Sequence, residues 1–457
     1  MISLDPTLTP RALAAAAARV FAVAAPKIAS LHRAWNPAKG TPVFTINGRY
    51  TSRGWTEWTQ GFQFGMPILH YAATGDKTLL ALGRDGTRRH MAAHVSHTGV
   101  HDHGFNNVST YANLLHLARA GLAPASDGDI AFYELALKIS GAVQAARWTE
   151  LPENLGYIYS FNGPHSLFAD TIRSLRALAL SHRLGHVLMG ERDRRISLLE
   201  RLLRHAETTA RFNVYFGAGR DLYDIRGRVA HESIFNLNDG TYRCPSSQQG
   251  YSAFTTWTRG LAWILCGYPE QLEFLPTLPD SEFKPFGGKT QTLARLLETA
   301  QATADFYIAH TPTDGIPYWD TGAPGLARLG DYLDRPAEPC NDHEPVDSSA
   351  AAISAQGLIR LGNHLKKKNP KASSRYLAAG LATARTLFGD TYLSTNPRHQ
   401  GLLLHSVYHR PNNWDHIPKG RKIPCGESCL WGDYHLLELA LLIQRMADGK
   451  YYTFFGF

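Results

Sequence analysis

Sulfur is scarce in this chain, charge is modest, and no apolar stretch runs unbroken for long. Five cysteines, Cys244, Cys266, Cys340, Cys425 and Cys429, are spread over 457 residues. An odd, sparse set in so long a chain argues for reduced thiols over a disulfide framework. Cys425 and Cys429 are spaced to face each other across one helical turn. Charged residues make up 19% of the chain beside 44% hydrophobic residues, which excludes a disordered polyelectrolyte and leaves ample material for a large core. No segment reaches about 18 uninterrupted apolar residues, so no membrane span is expected. The N-terminus has Asp5 and no basic opening, and Arg11 and Arg19 break its Ala-rich stretch, which does not suit a signal peptide. Cytoplasm is the expected location, with periplasm the alternative if a leader has been removed. Zinc-finger spacing, RNP-like aromatic motifs and continuous basic helices are also missing. The net charge of +8 therefore favours anionic ligands in general, not nucleic acid. The run Lys366-Lys367-Lys368 beside Asn369-Pro370 reads as a solvated turn.

What is abundant is helical periodicity. About twelve candidate helices lie near 10–25, 57–74, 77–95, 104–121, 127–148, 165–184, 192–214, 251–267, 289–310, 347–364, 372–388 and 432–447. Thr9-Pro10 suits a helix start, with proline at the first helical position. Asn238-Asp239-Gly240 predicts a tight hairpin inside the long 216–249 loop. One kind of helix is plainly amphipathic, as in Arg194-Ile196-Leu198-Leu199-Leu202-Leu203. The other kind opens on polar and aromatic clusters: Trp55-Trp58-Gln60-Gly61-Phe62, His101-Asp102-His103-Gly104-Phe105, His165-Ser166-Asp170, Gln249-Gly250-Tyr251-Trp257-Arg259, Asp347-Ser348-Ser349 and Trp431-Gly432-Asp433-Tyr434. Six such clusters, one per helical hairpin, predict an all-α (α/α)6 barrel occupying the whole chain as one domain, with an N-terminal outer helix and a tail near 449–457. Six inner helices would bring six N-termini, with their free N–H groups and partial positive charge, to one face suited to an anion. An α-solenoid is the competing architecture, but no sequence repeat supports it.

Two carboxylates carry the candidate chemistry. Asp102 sits at a helix start, where capping alone would explain it. Asp170 is expected about one turn inside an apolar helix (Leu167, Phe168, Ile172, Leu175), where an unpaired carboxylate is costly. If the two approach, like-charge coupling should keep one proton in the site. Glycosidic chemistry needs such a donor and a group to activate water. His101 and His103 are two apart, which does not suit one helix face, and no third ligand is in evidence, so no metal is expected. Trp58, Trp257 and Trp431 are candidates for stacking on sugar faces, among a rich set including Trp55, Tyr251, Trp263, Trp319 and Trp414. Arg259 needs an anionic partner, either a substrate carboxylate or an internal Asp.

In this order and spacing the motifs resemble the unsaturated glucuronyl hydrolases, glycoside hydrolase family 88, and their cousins the unsaturated rhamnogalacturonyl hydrolases. The resemblance runs from about Trp55 to Glu438. It is carried by Trp58-Thr59-Gln60-Gly61-Phe62, His101-Asp102-His103-Gly104-Phe105, Asp170-Thr171, Gln249-Gly250-Tyr251-Ser252, Trp257-Thr258-Arg259-Gly260-Leu261-Ala262-Trp263, Pro317-Tyr318-Trp319-Asp320, Asp347-Ser348-Ser349 and Glu427-Ser428-Cys429-Leu430-Trp431-Gly432-Asp433-Tyr434. It implies a cofactor-free hydrolase acting on an anionic oligosaccharide whose non-reducing end is a 4,5-unsaturated uronic acid. In that family an acid protonates C4, water adds at C5, and the hemiketal collapses. Asp170 matches the family's general acid/base and Asp102 its second essential carboxylate. His231, Gln249, Trp257 and Arg259 fall where the family contacts the unsaturated sugar. His103, the segment Asn162-Gly163-Pro164-His165 and Ala253-Phe254 depart from the family pattern around the pocket. A hydrolase of saturated glucuronides, a toroid lyase using Tyr251 with His231, and a sugar-binding protein without chemistry stay open as alternatives. A monomer or weak homodimer without membrane or nucleic-acid partners is expected.

Overall fold

The computed structural model describes residues 1–54, 57–453 and 455. Among the described residues, twelve helices alternate around a closed ring. The outer set is α1 (Ala14–Ala34), α3 (Lys77–His90), α5 (Asp127–Ala146), α7 (Leu198–Asn213), α9 (Lys289–Ala309) and α11 (Pro370–Leu387). The inner set is α2 (Gln60–Thr74), α4, α6, α8 (Thr258–Phe274), α10 (Ser348–Leu365) and α12 (Leu430–Ala447). Two inner helices are compound. In α4, His103–Asn107 passes through a π-helical Val108–Ala112 into Asn113–Arg119, and α6 joins Thr171–Ser174 to Arg176–Arg183. Consecutive inner helices pack on one another and α12 closes back onto α2, so the expected all-α (α/α)6 toroid is the fold found.

The inner ring is tight because small residues line its seams. A Cβ on Gly104 of α4 would lie 2.3 Å from the Ser174 carbonyl oxygen of α6, and one on Gly357 of α10 would lie 2.2 Å from the Leu265 oxygen of α8. Only glycine permits such backbone approach. Below the cup the ring axis is filled by ions. Arg173 donates to Glu270 at 2.9 Å and to Glu438 at 2.7 Å, with all three side chains fully buried, and its Nη1 also meets His435. Such a network holds together only because each charge is paired and hydrogen-bonded.

Several boundaries differ from the sequence expectation. The first helix runs to Ala34, and with its 3-10 entry it spans Arg11–Ala34, the one described helix long and apolar enough to cross a membrane by length and composition. Arg19 and Lys27 interrupt it, so it contains no unbroken apolar run. Its apolarity has a packing explanation: Val20, Phe21, Ala24, Ile28 and Leu31 recur at helical spacing on its buried face, and it packs against α2 and α12. The predicted helix over 165–184 begins only at Thr171, because Ser166–Phe168 (β5) is drawn into a sheet with Glu232–Phe235 (β8), which in turn pairs with Tyr242–Ser246 (β9). The β8–β9 connection turns at Asn236–Gly240, as the Asn-Asp-Gly signal predicts. Cys425 and Cys429 do not face each other across a turn. Cys429 caps α12, accepting from Gly432 N at 3.3 Å, while Cys425 precedes the helix beside Cys340.

Candidate active site

The N-terminal ends of α2, α4, α6 and α8 open on one cup of about 270 Å³. Trp58 lines it from the approach to α2, His101, Asp102 and Phe105 from α4, Asp170 from α6, Trp257, Arg259 and Trp263 from α8, and Tyr408, His409, Asn412 and Trp414 from the loop before α12. Trp55 lies outside the described residues.

The β5–β8 pairing builds the floor. Its next rung is Ala169 N donating to the His231 carbonyl at 2.8 Å, which fixes where the chain turns into Asp170. Asp102 and Asp170 each occupy the residue before a helix, yet neither side chain caps it. Both carboxylates are thereby left for the cup. The expected position of Asp170 inside a helix is corrected: it precedes one. Between the two carboxylates stands His101, a residue the sequence reading passed over except as half of a metal pair. Its Nε2 is 3.4 Å from Asp170 Oδ2 and 3.8 Å from Asp102 Oδ1, and the ring is 1% exposed. The three groups offer ligating atoms within 4.8 Å of one another, so Asp170 is the third partner that spacing along the chain did not reveal. His103 is not part of this set. Asn107 Nδ2 donates to Ser140 Oγ, so the Ser140 hydroxyl donates to His103 Nδ1, and His103 Nε2–H donates to the His97 carbonyl at 2.9 Å.

The electrostatics separate the two acids. Burial pushes Asp102 up to about 6, only partly opposed by His101, with Asp170 adding to the rise. Burial works in the same direction on Asp170, but the His101 imidazolium in hydrogen-bond contact outweighs it and holds the carboxyl below its ordinary value. Burial alone would lower His101, and the two carboxylates overcome it and raise its pKa. The proton held in the site therefore rests on His101, and Asp170 is ionised.

Arg259 takes the internal alternative. Its Nη1 donates to Asp347 Oδ2 at 2.8 Å and to the Val407 carbonyl, and its Nη2 donates to Gln249 Oε1 at 3.1 Å and to the Tyr408 carbonyl. Asp347 pairs with its charge and also caps α10 through Ser349 N and Ala350 N, while Arg259 still lines the cup. Arg259 also fixes the Gln249 amide. With Oε1 occupied, the NH2 of Gln249 is the edge presented to the cup.

His231 and Trp431 lie behind the cup wall. His231 is 2% exposed, 4.6 Å centroid to centroid from both Phe168 and Trp257. Its Nδ1 accepts from the backbone N–H groups of Gln248 at 3.1 Å and Gln249 at 3.3 Å. Those two donors fix the tautomer with the proton on Nε2, and burial lowers the pKa to about 4, so the ring is neutral. Its place is beneath Gln248 and Gln249, both of which line the cup. Trp431 is fully buried, tilted against the back of Trp58 with ring centres 4.9 Å apart, and its indole N–H donates to Ser349 Oγ at 3.1 Å. It backs the wall that Trp58 presents. Phe161, Tyr408 and His409 are cup residues with no motif to announce them, because loops bring them in.

The cup combines two carboxylates, a protonated imidazole, a fixed amide donor and aromatic faces, which suits proton transfer to a sugar. No family profile matches the chain. A curated unsaturated glucuronyl hydrolase of Bacillus sp. (strain GL1) is 26% identical over 414 residues, covering 89% of this chain and 91% of that protein. The solved unsaturated glucuronyl hydrolase of Bacillus sp. GL1 superposes with a TM-score of 0.70 at 22% identity, over 96% of this chain and 100% of that one. An Asp-to-Asn variant of the unsaturated glucuronyl hydrolase of Streptococcus agalactiae, solved with dGlcA-GalNAc6S, superposes with a TM-score of 0.62 at 18% identity, over 96% of each chain. Along nearly its full length, in sequence and in fold, and with a floor that brings together Asp102 and Asp170, the chain is similar to the unsaturated glucuronyl hydrolases.

Proposed function

We propose that this protein hydrolyses 4,5-unsaturated uronides at the non-reducing end of lyase-generated, anionic oligosaccharides, with Asp170 as acid/base. The observation that carries the reading is the convergence of His101, Asp102 and Asp170 at the floor of one buried cup. The names of its relatives support the substrate class. Before substrate enters, Asp170 is ionised and His101 holds a proton at 3.4 Å. A uronate carboxylate entering this low-dielectric space adds negative charge beside Asp170 and draws that proton onto it. Asp170 then protonates C4, and positive charge develops at C5, shared with the ring oxygen. Water adds at C5 while Asp170 takes its proton. The hemiketal opens and the aglycone leaves as an alcohol. Asp102 supplies the negative charge that holds His101 in place and steadies the cation. The Gln249 amide offers a donor for the substrate carboxylate, held by Arg259 on one side and by His231 beneath.

The test is optical. Unsaturated oligosaccharides from chondroitin, hyaluronan, heparin, gellan, xanthan, ulvan or pectin lyases should lose their absorbance near ~235 nm as the conjugated C4=C5 bond is consumed, and Asp170→Asn should abolish that loss because an amide donates no proton. Full activity in Asp170→Asn removes the assignment. The lyase alternative needs a tyrosine and a histidine in the cup. Tyr251 is 51% exposed and does not line the cup, and His231 lies behind its wall. Tyr408 and His409 do line it, so intact polymers belong in the same assay, where a lyase would make the absorbance rise.

A further inference from the structure

Resting on the uronide reading, the exposure gradient of the cup says where the rest of the substrate goes. His101, Asp102 and Asp170, at the floor, are 1%, 5% and 8% exposed, whereas Phe161, which also lines the cup, is 42% exposed. The reacting ring must reach Asp170, so the leaving sugar occupies the mouth. Two backbone segments line that mouth: the strap 97–100, contributing His97, Gly99 and Val100, and the segment 159–161, ending in Phe161.

One side chain joins them. Arg147 follows the end of α5 and is 6% exposed, yet among the described residues it has no ion pair with a carboxylate. All three guanidinium nitrogens donate to backbone carbonyls instead: Nε to Tyr159 at 3.2 Å, Nη2 to Ser160 at 2.8 Å, and Nη1 to Thr98. The guanidinium also lies 4.3 Å from the centre of the Tyr159 ring. A buried cation that forgoes a carboxylate to bind three carbonyls in two separate segments holds geometry, since the planar fork fixes those carbonyls relative to one another. His103 reinforces the strap from below through its 2.9 Å bond to the His97 carbonyl.

We propose that Arg147 is a specificity-determining residue of the hydrolase: its fork clamps the strap 97–100 to the segment 159–161 and so sets the width of the gap that the leaving sugar must occupy. Lysine keeps the charge but not the fork, and methionine keeps neither. The experiment compares two substrates, the methyl glycoside of the 4,5-unsaturated uronic acid and the same uronic acid linked to an N-acetylhexosamine, in wild type, Arg147→Lys, Arg147→Met and His103→Leu. In both Arg147 variants kcat/KM for the disaccharide should fall about tenfold further than for the methyl glycoside, with most of the difference in KM. His103→Leu should move the ratio the same way by less, and it decides the matter if the Arg147 variants do not fold. Variants that unfold like wild type and lose activity equally on both substrates, or on neither, overturn the clamp. Wild-type protein inert toward both substrates overturns the uronide reading beneath it, a result distinct from an unaltered ratio.

Discussion

At the residue scale the decisive object is His101. It turns two like charges in one buried space from a liability into a proton store, and it sets the pKa order in which Asp102 titrates at about 6 and Asp170 below its ordinary value. Below that point the floor holds protons on both His101 and Asp102. As pH falls through about 6, Asp102 takes up a proton and its charge beside His101 is lost, so kcat/KM should fall on the acid side with a limb near pH 6. Asp102→Asn should remove that limb. Asp170→Asn should lower kcat by about 10²- to 10⁴-fold while leaving thermal unfolding close to wild type. Arg259 makes the contrary case of a charge spent inside the fold. Asp347→Ala should destabilise by about 3–5 kcal/mol, measured by denaturant unfolding, because it strands a buried guanidinium. A mere loss of substrate affinity at unchanged stability would contradict the pairing described.

At the element scale the short sheet β5-β8-β9 matters more than its size suggests. It sets Asp170 two residues beyond a strand end, beside His231, and thereby anchors Gln248 and Gln249. His231→Phe keeps the ring in its slot between Phe168 and Trp257 but loses the acceptor for two backbone N–H groups. It should raise KM more than it lowers kcat. The inner-helix seams are equally exacting. Gly357→Ala should cost about 1–3 kcal/mol by overpacking against the Leu265 carbonyl, read as a lower midpoint of unfolding. The polar clusters that open the inner helices were legible in the sequence, because residues unfit for a helix interior mark its start. The sheet was not legible: Leu167-Phe168 reads equally as helix or strand until β8, more than sixty residues later, is placed beside it.

At the scale of the whole molecule, burial is directed at histidine as much as at apolar groups. Burial lowers His32, His94, His103, His231, His405 and His409 to about 4 and His205 to about 3. Asp102, Asp314, Asp320 and Asp433 are raised to about 6. The histidines take up protons more readily when unfolded, so they withdraw stability as pH falls from about 6.5 toward 4. The aspartates do the reverse between about 4 and 6, and they are fewer. The melting temperature should therefore decline as pH is lowered from 7 to 5, and a rise over that interval would refute the neutral state assigned to these rings. Ring closure is a further property of the whole. Since α12 packs against both α10 and α2, a chain ending before Leu430 should show no cooperative unfolding transition.

By itself the sequence determined the alternation of helices, the closed ring they form and two carboxylates at or near inner-helix starts. These follow from periodicity and from the chemistry of helix ends, which are local. Tertiary structure alone decided that His101 stands between Asp102 and Asp170, that Arg259 is answered by Asp347 and that Trp431 and His231 support the wall from behind. Each depends on which distant side chain shares a buried space, and in that space the nearest opposite charge or acceptor, wherever it lies in the chain, fixes protonation and orientation.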